Sequence, residues 1–290
     1  LNQPTALLCT SGSALLNYYP AIAEAFYSQI PLIVVSADRP TSKIDIGDGQ
    51  TIRQRNVFEN HSLFNANLLD EASAVNDELI QKAIITSKNK KGPVHINVPF
   101  EEPLYNIVNE YSYNPVLLND ELEVKIEEEF HTTIIQNADK IVILIGSQNP
   151  NIISKENIDY LASLPNVVIL TEINSNIHHK NIVANIDTLI TTFSEDDFKD
   201  FQPDLLLTFG GMIVSKRVKA MFRNYPPKNH WHVDELRAYD TFSSLTKHIT
   251  VSPDDFINQI KEQIPAKDSN FSKKIQSIMS NRKKGHQIYM

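Results

Sequence analysis

Residues 31–40 read Pro-Leu-Ile-Val-Val-Ser-Ala-Asp-Arg-Pro. The run is apolar and rich in β-branched side chains, with Pro31 on one side and Asp38-Arg39-Pro40 on the other. It therefore predicts a strand, Pro31–Ser36, that leaves the sheet in a charged turn. Working outward, Thr5–Cys9 reads as a buried strand and Ser13–Gln29 as a helix with apolar residues at helical spacing. Asn76–Ser87 reads as a helix and Pro93–Val98 (PVHINV) as a strand, with Pro99 and Pro103 marking the exit. Strands that alternate with helices predict a parallel sheet covered on both faces.

The same rhythm returns in the second half. An acidic helix is expected over Asp120–Ala138, and a buried strand over Lys140–Ile145 (KIVILI) that ends at Gly146-Ser147. A helix near Ser154–Ser163, strands at Val167–Leu170 and Leu205–Phe209, and a helix from Ser215 follow. Strands His230–Val233 and His248–Val251 and the helix Pro253–Ile260 complete the unit. The polar, proline-bounded stretch from Tyr105 to Asn119 separates the halves. The expectation is an α/β chain of two doubly wound, parallel-sheet, Rossmann-like units: a first domain over 1–108, a linker over 109–119, a second domain over 120–266 and a charged helix over 267–290.

Composition bounds the function. The 290 residues are 41% hydrophobic and 21% charged, a globular balance. A formal net charge of −8 disfavours broad nucleic-acid or acidic-membrane binding, while leaving room for local basic pockets. A single cysteine, Cys9, cannot form an intramolecular disulfide, which points to a cytoplasmic protein. No apolar run approaches the ~20 residues of a membrane helix, and no secretory signal is visible. Leu1 stands where an initiator Met would be, the chain enters a core strand within a few residues, and its last helix, Phe271–Tyr289, has nothing evident to pack against. Both ends read as cuts.

Three stretches carry candidate chemistry. Thr10-Ser11-Gly12-Ser13 lies where a strand gives way to a helix, a junction whose free N–H groups suit polar or anionic ligands; an ordinary helix cap explains it equally well. Asp38-Arg39-Pro40 follows a strand at its carboxyl end, where open α/β sheets bind ligands. A guanidinium there can clamp a carboxylate in a two-point contact, or pair structurally with Asp38 or Asp45. In Phe209-Gly210-Gly211-Met212-Ile213-Val214-Ser215-Lys216-Arg217 a strand again ends at glycines and turns into a helix, with two cations in its first turn. Cations are mildly unfavourable there, which suggests a nearby anion, the alternative being two solvated surface charges. Other candidates are weak. His178-His179 lacks a third ligand for zinc, His61 and His95 read as core or rim residues, and Cys9 as an inert buried thiol. The acidic run Glu121–Glu129 reads as a solvated helix face.

Taken in order, Cys9-Thr10-Ser11-Gly12-Ser13-Ala14 through Asn17, Pro20-Ala21, Ala37-Asp38-Arg39-Pro40, and Gly47 with Gln50-Thr51-Ile52-Arg53-Gln54 resemble one family. It is the 2-succinyl-5-enolpyruvyl-6-hydroxy-3-cyclohexene-1-carboxylate synthases of menaquinone biosynthesis. His95-Ile96-Asn97-Val98-Pro99-Phe100 with Glu102-Pro103-Leu104-Tyr105, and the Lys216-Arg217 pair, extend the match. The resemblance implies a thiamine-diphosphate-dependent transferase of three α/β domains that decarboxylates 2-oxoglutarate and adds the product carbanion to isochorismate. It implies that residues 1–108 form the later part of a pyrimidine-binding domain and 120–266 the central domain. It further implies that Arg39, Gln50, Lys216 and Arg217 contact the anionic substrates, and that Thr10, Ser11, Gly12 and Asn17 lie beside the cofactor. The activating glutamate would fall before Leu1, and the ligands of the diphosphate and of Mg²⁺ (or manganese) after Met290, so no catalytic or metal residue is expected here. Gly47-Asp48-Gly49 copies the start of a diphosphate and Mg²⁺ motif, but the match places it in the pyrimidine-side domain. The full chain would be a homodimer or homotetramer. Two rivals remain: a different thiamine enzyme, of acetolactate-synthase or 2-oxoacid decarboxylase type, and a non-catalytic nucleotide-binding module. Against the second, neither Gly146-Ser147 nor Gly210-Gly211 completes G-x-G-x-x-G.

Overall fold

Ile141–Ile145 (β5) is apolar at every position because helices cover it on both faces, and all five side chains are buried. Such a strand belongs to the middle of a parallel sheet. A computed structural model of the chain describes residues 3–101, 105, 107, 109, 110, 114, 132–264 and 267–289. The chain divides into two compact units, Leu1–Glu123 and Val124–Met290.

In the first unit, β1 (Thr5–Cys9), α1 (Tyr19–Tyr27), β2 (Leu32–Asp38), β3 (Phe64–Asn67), α2 (Ala74–Asn89) and β4 (Pro93–Pro99) follow in order. The described strands form one parallel sheet in the order β1-β2-β4-β3. Side chains alternate between the faces with period two. Leu32 and Val34 pack with Leu15, Ile22, Ala25 and Phe58 on one face. Val94 and Ile96 pack with Ala66 and Ala83 on the other.

Two expectations need correction. Thr5–Cys9 is not a buried strand: among the described residues it pairs with β2 alone, and Leu8 is 71% exposed. Nor is Ser13–Gln29 one helix. Gly12–Tyr18 is a 3-10 helix, and α1 begins only at Tyr19. Pro20 explains the break, since a residue without an N–H suits a first helical turn and not a helix interior. Strand β3 was invisible to pattern reading because Phe-Asn-Ala-Asn is only four residues long and half polar.

The second unit contains α3 (Thr132–Asn137), β5, α4 (Lys155–Ser163), β6 (Val167–Thr171), α5 (Ile186–Ile190), α6 (Glu195–Phe201) and β7 (Leu205–Phe209). It continues through α7 (Lys216–Asn224), β8 (Asn229–Val233), β9 (Lys247–Ile249), α8 (Pro253–Ile260) and α9 (Phe271–Tyr289). The five strands pair in parallel in the order β6-β5-β7-β8-β9. Ile141, Ile143 and Ile145 join the core made with α4 and α8. Val142 and Leu144 join the core made with α5, α7 and α9. Ser154, Ser215 and Ser252 cap α4, α7 and α8 through their hydroxyls, each cap contributing about 1 kcal/mol.

Helix α9 does have a partner, contrary to expectation. Phe271, Ile275 and Met279 recur every four residues on one face and are buried in the second core. The expected acidic helix is seen only over Thr132–Asn137, and its part before residue 132 lies outside the described residues. So do Glu102-Pro103-Leu104, the acidic run at 121–129 and most of the expected linker.

Candidate functional site

The carboxyl end of the first sheet carries polar side chains in register on one face. Ser36 and Asp38 alternate along β2, His95 and Asn97 along β4, and Ser36 stands opposite Asn97. All four are buried. Beyond them the chain turns through Arg39, and a cavity of about 340 Å³ opens. Its lining includes Asp38, Arg39, Arg53, Gln54, Arg55, Asn67 and Asn97, with Ile44, Leu68 and Pro99 as apolar walls. Three guanidinium-bearing residues around one cavity suit an anionic ligand.

Arg39 is half-buried, and its backbone N–H donates to its neighbour's carboxylate, Asp38 Oδ1, at 2.8 Å. Asp45 pairs with Arg53, whose Nε donates to Asp45 Oδ2 at 2.9 Å. Both side chains of that pair are largely exposed, so it contributes little to stability. Close by, Lys43 is ion-paired with Glu101, and the hydrogen bond that Lys43 donates to Glu101 holds the ammonium pKa above its ordinary value. His95 Nε2 lies 2.8 Å from Ser36 Oγ, and burial lowers the imidazole pKa to about 4, so the ring is neutral at pH 7.

The turn after β1 is held from above. Gly12 has φ +85°, and a Cβ built there would sit 3.1 Å from the Gln50 carbonyl oxygen, with Gln50 itself at φ +55°. The structure thus brings two expected site residues together, Gly12 and Gln50, through their backbones. Ser11 is buried and makes no capping bond to the turn that follows it. Thr10 and Asn17 are exposed, and the Asn17 amide donates to the Ala14 carbonyl at 3.3 Å. Neither lines the cavity, and neither does Gln50. The Cys9 thiol is half-buried, and desolvation raises its pKa. Asp48 of the metal-motif look-alike is exposed and accepts the Gly49 N–H at 3.0 Å. Among the described residues no group of three His, Cys, Asp or Glu side chains could hold a metal ion.

In the second unit, Lys216 and Arg217 are exposed at the start of α7. The anion that their position calls for is present in the same unit. Glu172 accepts the Val214 and Ser215 N–H groups, each at 2.7 Å, and Asp187 Oδ1 accepts the Ser215 hydroxyl at 2.5 Å. Arg217 donates to Thr191. At the turns after β5 and β7, where a doubly wound sheet would take a nucleotide, Ser147 N–H is bonded to Met212 O and Gly211 N–H to Ser147 O. A Cβ on Gly146 would lie 2.2 Å from the Gly211 oxygen. Backbone fills that crevice, which removes support from the nucleotide-module reading.

Gln54 and Asn97 stand within the motifs at 50–54 and 95–100, whose pattern assigns neither a role, and Glu172 belongs to no motif. For Asn97 a signal existed: polar residues alternating at the carboxyl ends of two adjacent strands. Glu172 offered none, because its partners are 42 and 43 residues away.

Comparison with known proteins shows the family. Residues 1–67 match the family of the thiamine pyrophosphate enzyme N-terminal TPP-binding domain. The chain is 58% identical to a 2-succinyl-5-enolpyruvyl-6-hydroxy-3-cyclohexene-1-carboxylate synthase of Flavobacterium psychrophilum, over 93% of this chain and 50% of that protein. It is 54% identical to the synthase of Flavobacterium johnsoniae, over 97% and 52%, and 46% identical to that of Christiangramia forsetii, over 85% and 48%. The chain therefore spans about half the length of the curated relatives it matches. Among the described residues no helix is long and apolar enough to cross a membrane. By its motifs, its two parallel α/β sheets and its sustained identity to these proteins, the chain belongs to the 2-succinyl-5-enolpyruvyl-6-hydroxy-3-cyclohexene-1-carboxylate synthase family.

Proposed function

We propose that the protein carrying these 290 residues is a thiamine-diphosphate-dependent synthase that decarboxylates 2-oxoglutarate and adds the product carbanion to isochorismate. The identity of 58% across 93% of the chain to a protein named for that product carries the reading. The cavity beside Arg39 supports it, because both substrates are small polycarboxylates.

Each residue then has a physical task. Arg39 offers a fork of donors to a substrate carboxylate at the cavity, a charge-assisted contact that contributes about 1.5–3 kcal/mol. Lys216 and Arg217 offer further positive charge to the same class of ligand. Gln50 and the turn at Thr10–Gly12 form one backbone surface, with Asn17 on the 3-10 helix that follows. The exposed Thr10 and Asn17 side chains fit a polar ring edge. The Gly12 N–H does not, since Gln54 already takes it. Thiamine diphosphate, when bound, supplies the carbon nucleophile and the electron sink that decarboxylation needs. We assign Mg²⁺ (or manganese) and the diphosphate to residues other than those described, and we propose a cytoplasmic homodimer or homotetramer.

The test is steady-state turnover of 2-oxoglutarate with and without isochorismate, in the presence of thiamine diphosphate and Mg²⁺. Carbon–carbon coupling is expected only when isochorismate is added. Arg39→Lys keeps the charge and loses the two-point contact, so it should raise KM for one of the two acids about tenfold. Turnover of pyruvate in place of 2-oxoglutarate would move the protein to the acetolactate-synthase-like class.

A further inference from the structure

A chain of side-chain hydrogen bonds joins the turn after β1 to the end of β2. Gln54 is 1% exposed. Its Oε1 accepts the Gly12 N–H at 2.7 Å, and its Nε2 donates to the Ala37 carbonyl at 2.9 Å and to Asn97 Oδ1 at 3.0 Å. Asn97 Nδ2 donates onward to Asp38 Oδ2 at 2.7 Å. The other oxygen of that carboxylate accepts the Arg39 N–H at 2.8 Å. Both amide orientations are fixed by their partners: flipping Gln54 would set N–H against the Gly12 N–H, and flipping Asn97 would set oxygen against the Asp38 carboxylate.

The links from Gly12 through Gln54 and Asn97 to Asp38 are short and buried, where such bonds are strong and an unmade one is costly, and the last, to the Arg39 N–H, is part-buried. The path runs Gly12, Gln54, Asn97, Asp38, Arg39, and it spans sequence separations of 42, 43, 59 and 1. The Gln50 backbone lies close on another side of Gly12, where a Cβ would come 3.1 Å from its carbonyl oxygen, which leaves the turn little room to move that way. Gln54 is the member that bonds both to the Gly12 turn and, at the Ala37 carbonyl, to the end of β2.

We infer that Gln54 is a positioning residue, which holds the Gly12 turn and the Asp38-Arg39 strand end as one hydrogen-bonded unit so that a ligand gripped by Arg39 meets that turn in a set orientation. The mechanical part stands by itself; its consequence for turnover rests on the proposed function above. A purely local role, filling the space under the 47–54 loop, would leave Arg39 undisturbed.

Two substitutions separate these cases in the protein that carries the chain. Gln54→Glu is isosteric and keeps the acceptor for Gly12, but sets oxygen against the Ala37 carbonyl and Asn97 Oδ1. Gln54→Met removes every bond. Amide hydrogen exchange is read at Gly12 and at Arg39. In Gln54→Glu, exchange at Arg39 should speed up about tenfold while Gly12 stays within about twofold; in Gln54→Met both should speed up about tenfold. Should Gln54→Met fail to fold, Gln54→Glu alone decides. Arg39 exchange within about twofold of the parent in Gln54→Glu overturns the inference. In the turnover assay, Gln54→Glu should raise KM for the acid that Arg39 grips about tenfold, and add less than about twofold in an Arg39→Ala background. Equal effects in both backgrounds also overturn it. If the parent turns over neither acid, the proposed function fails, and the exchange experiment still gives its answer.

Discussion

Both units end their central strands at the same topological place and use it in opposite ways. In the first, β2 and β4 finish in Ser36, Asp38, His95 and Asn97, whose side chains bond to one another and leave a cavity beyond Arg39. In the second, β5 and β7 finish in Gly146 and Gly210-Gly211, and the two turns bond backbone to backbone. Parallel topology brings loop ends to one edge in either case. Whether a ligand finds room there depends on what the strand ends carry: side chains prop the turns apart, and glycines let them close. Two sheets of one class can therefore differ in whether the turns at that edge leave a cavity.

Glycine substitution should break the comparison where it is sharpest. In Gly146→Ala the new Cβ would meet the Gly211 oxygen at 2.2 Å and an Ile213 methyl at 3.1 Å, and neither turn can yield without losing its bonds. A loss of about 3 kcal/mol is expected. Gly12→Ala meets the Gln50 oxygen only at 3.1 Å, at φ +85°, and should cost about 1–2 kcal/mol. The single tryptophan, Trp231, is buried in β8, so its fluorescence during urea unfolding reports the second unit. Gly146→Ala should move that transition and Gly12→Ala should not. A cost below about 1 kcal/mol for Gly146→Ala would mean that the crevice can open.

The contrast also explains what the sequence disclosed. Strand β5 and its neighbours were legible because runs such as KIVILI and LLLTF admit one reading, burial on both faces. Arg39, Lys216 and Arg217 were legible as cations at strand-to-helix turns. Gln54 acts on Gly12 from 42 residues away, and Glu172 on Val214 from 42 as well. No local pattern encodes such pairs, since they exist only once the strands are in register. The exposure of β1 among the described residues was not legible, because composition alone does not say what covers a strand. Helix α9 was misread for the converse reason: Phe271, Ile275 and Met279 show an apolar stripe, but the stripe does not say what covers it.

Acid should separate the units next. Burial lowers the pKa of His95, in the first unit, from 6.5 to about 4; in the second it lowers His230 to about 4 and His232 in the same direction. Thr208 Oγ1 bridges the latter two, 2.9 Å from His230 Nε2 and 2.8 Å from His232 Nδ1. His230 also feels Asp240, and His232 feels Asp234 and His248. Above pH 6.5 these rings are neutral folded or unfolded, so they add no pH dependence. Between 6.5 and about 4 for His95 and His230, and below 6.5 for His232, the unfolded chain takes the proton first, and stability falls as pH falls, by at most about 1.4 kcal/mol per pH unit for each ring. Carboxylates such as Asp204 and Asp254, held below their ordinary 3.8, lose their contributions only under that window. The tryptophan-detected urea midpoint should therefore fall more steeply with acid than a probe placed in the first unit, and His230→Gln should flatten it. Equal slopes would mean that the paired histidines titrate as one.

The smallest effect tests how the second unit holds the cations at the start of α7. Glu172 gives one oxygen to the Val214 N–H and the other to the Ser215 N–H, both at 2.7 Å, at the positive end of α7. In Glu172→Gln the oxygen that remains keeps one bond, while the new amide sets N–H against N–H at the other. The helix also loses a negative charge at the end where its dipole and Lys216-Arg217 favour one. The Ser215 cap on Val218 and the Asp187 contact to the Ser215 hydroxyl persist, which limits the loss to about 1 kcal/mol. Fluorescence-detected unfolding would read that directly. If instead Glu172→Gln were neutral in stability yet raised KM in the turnover assay, the carboxylate would be orienting the Lys216-Arg217 turn for a ligand, as Asp38 orients Arg39 in the first unit. The two edges would then differ in how they are closed and agree in how they place positive charge.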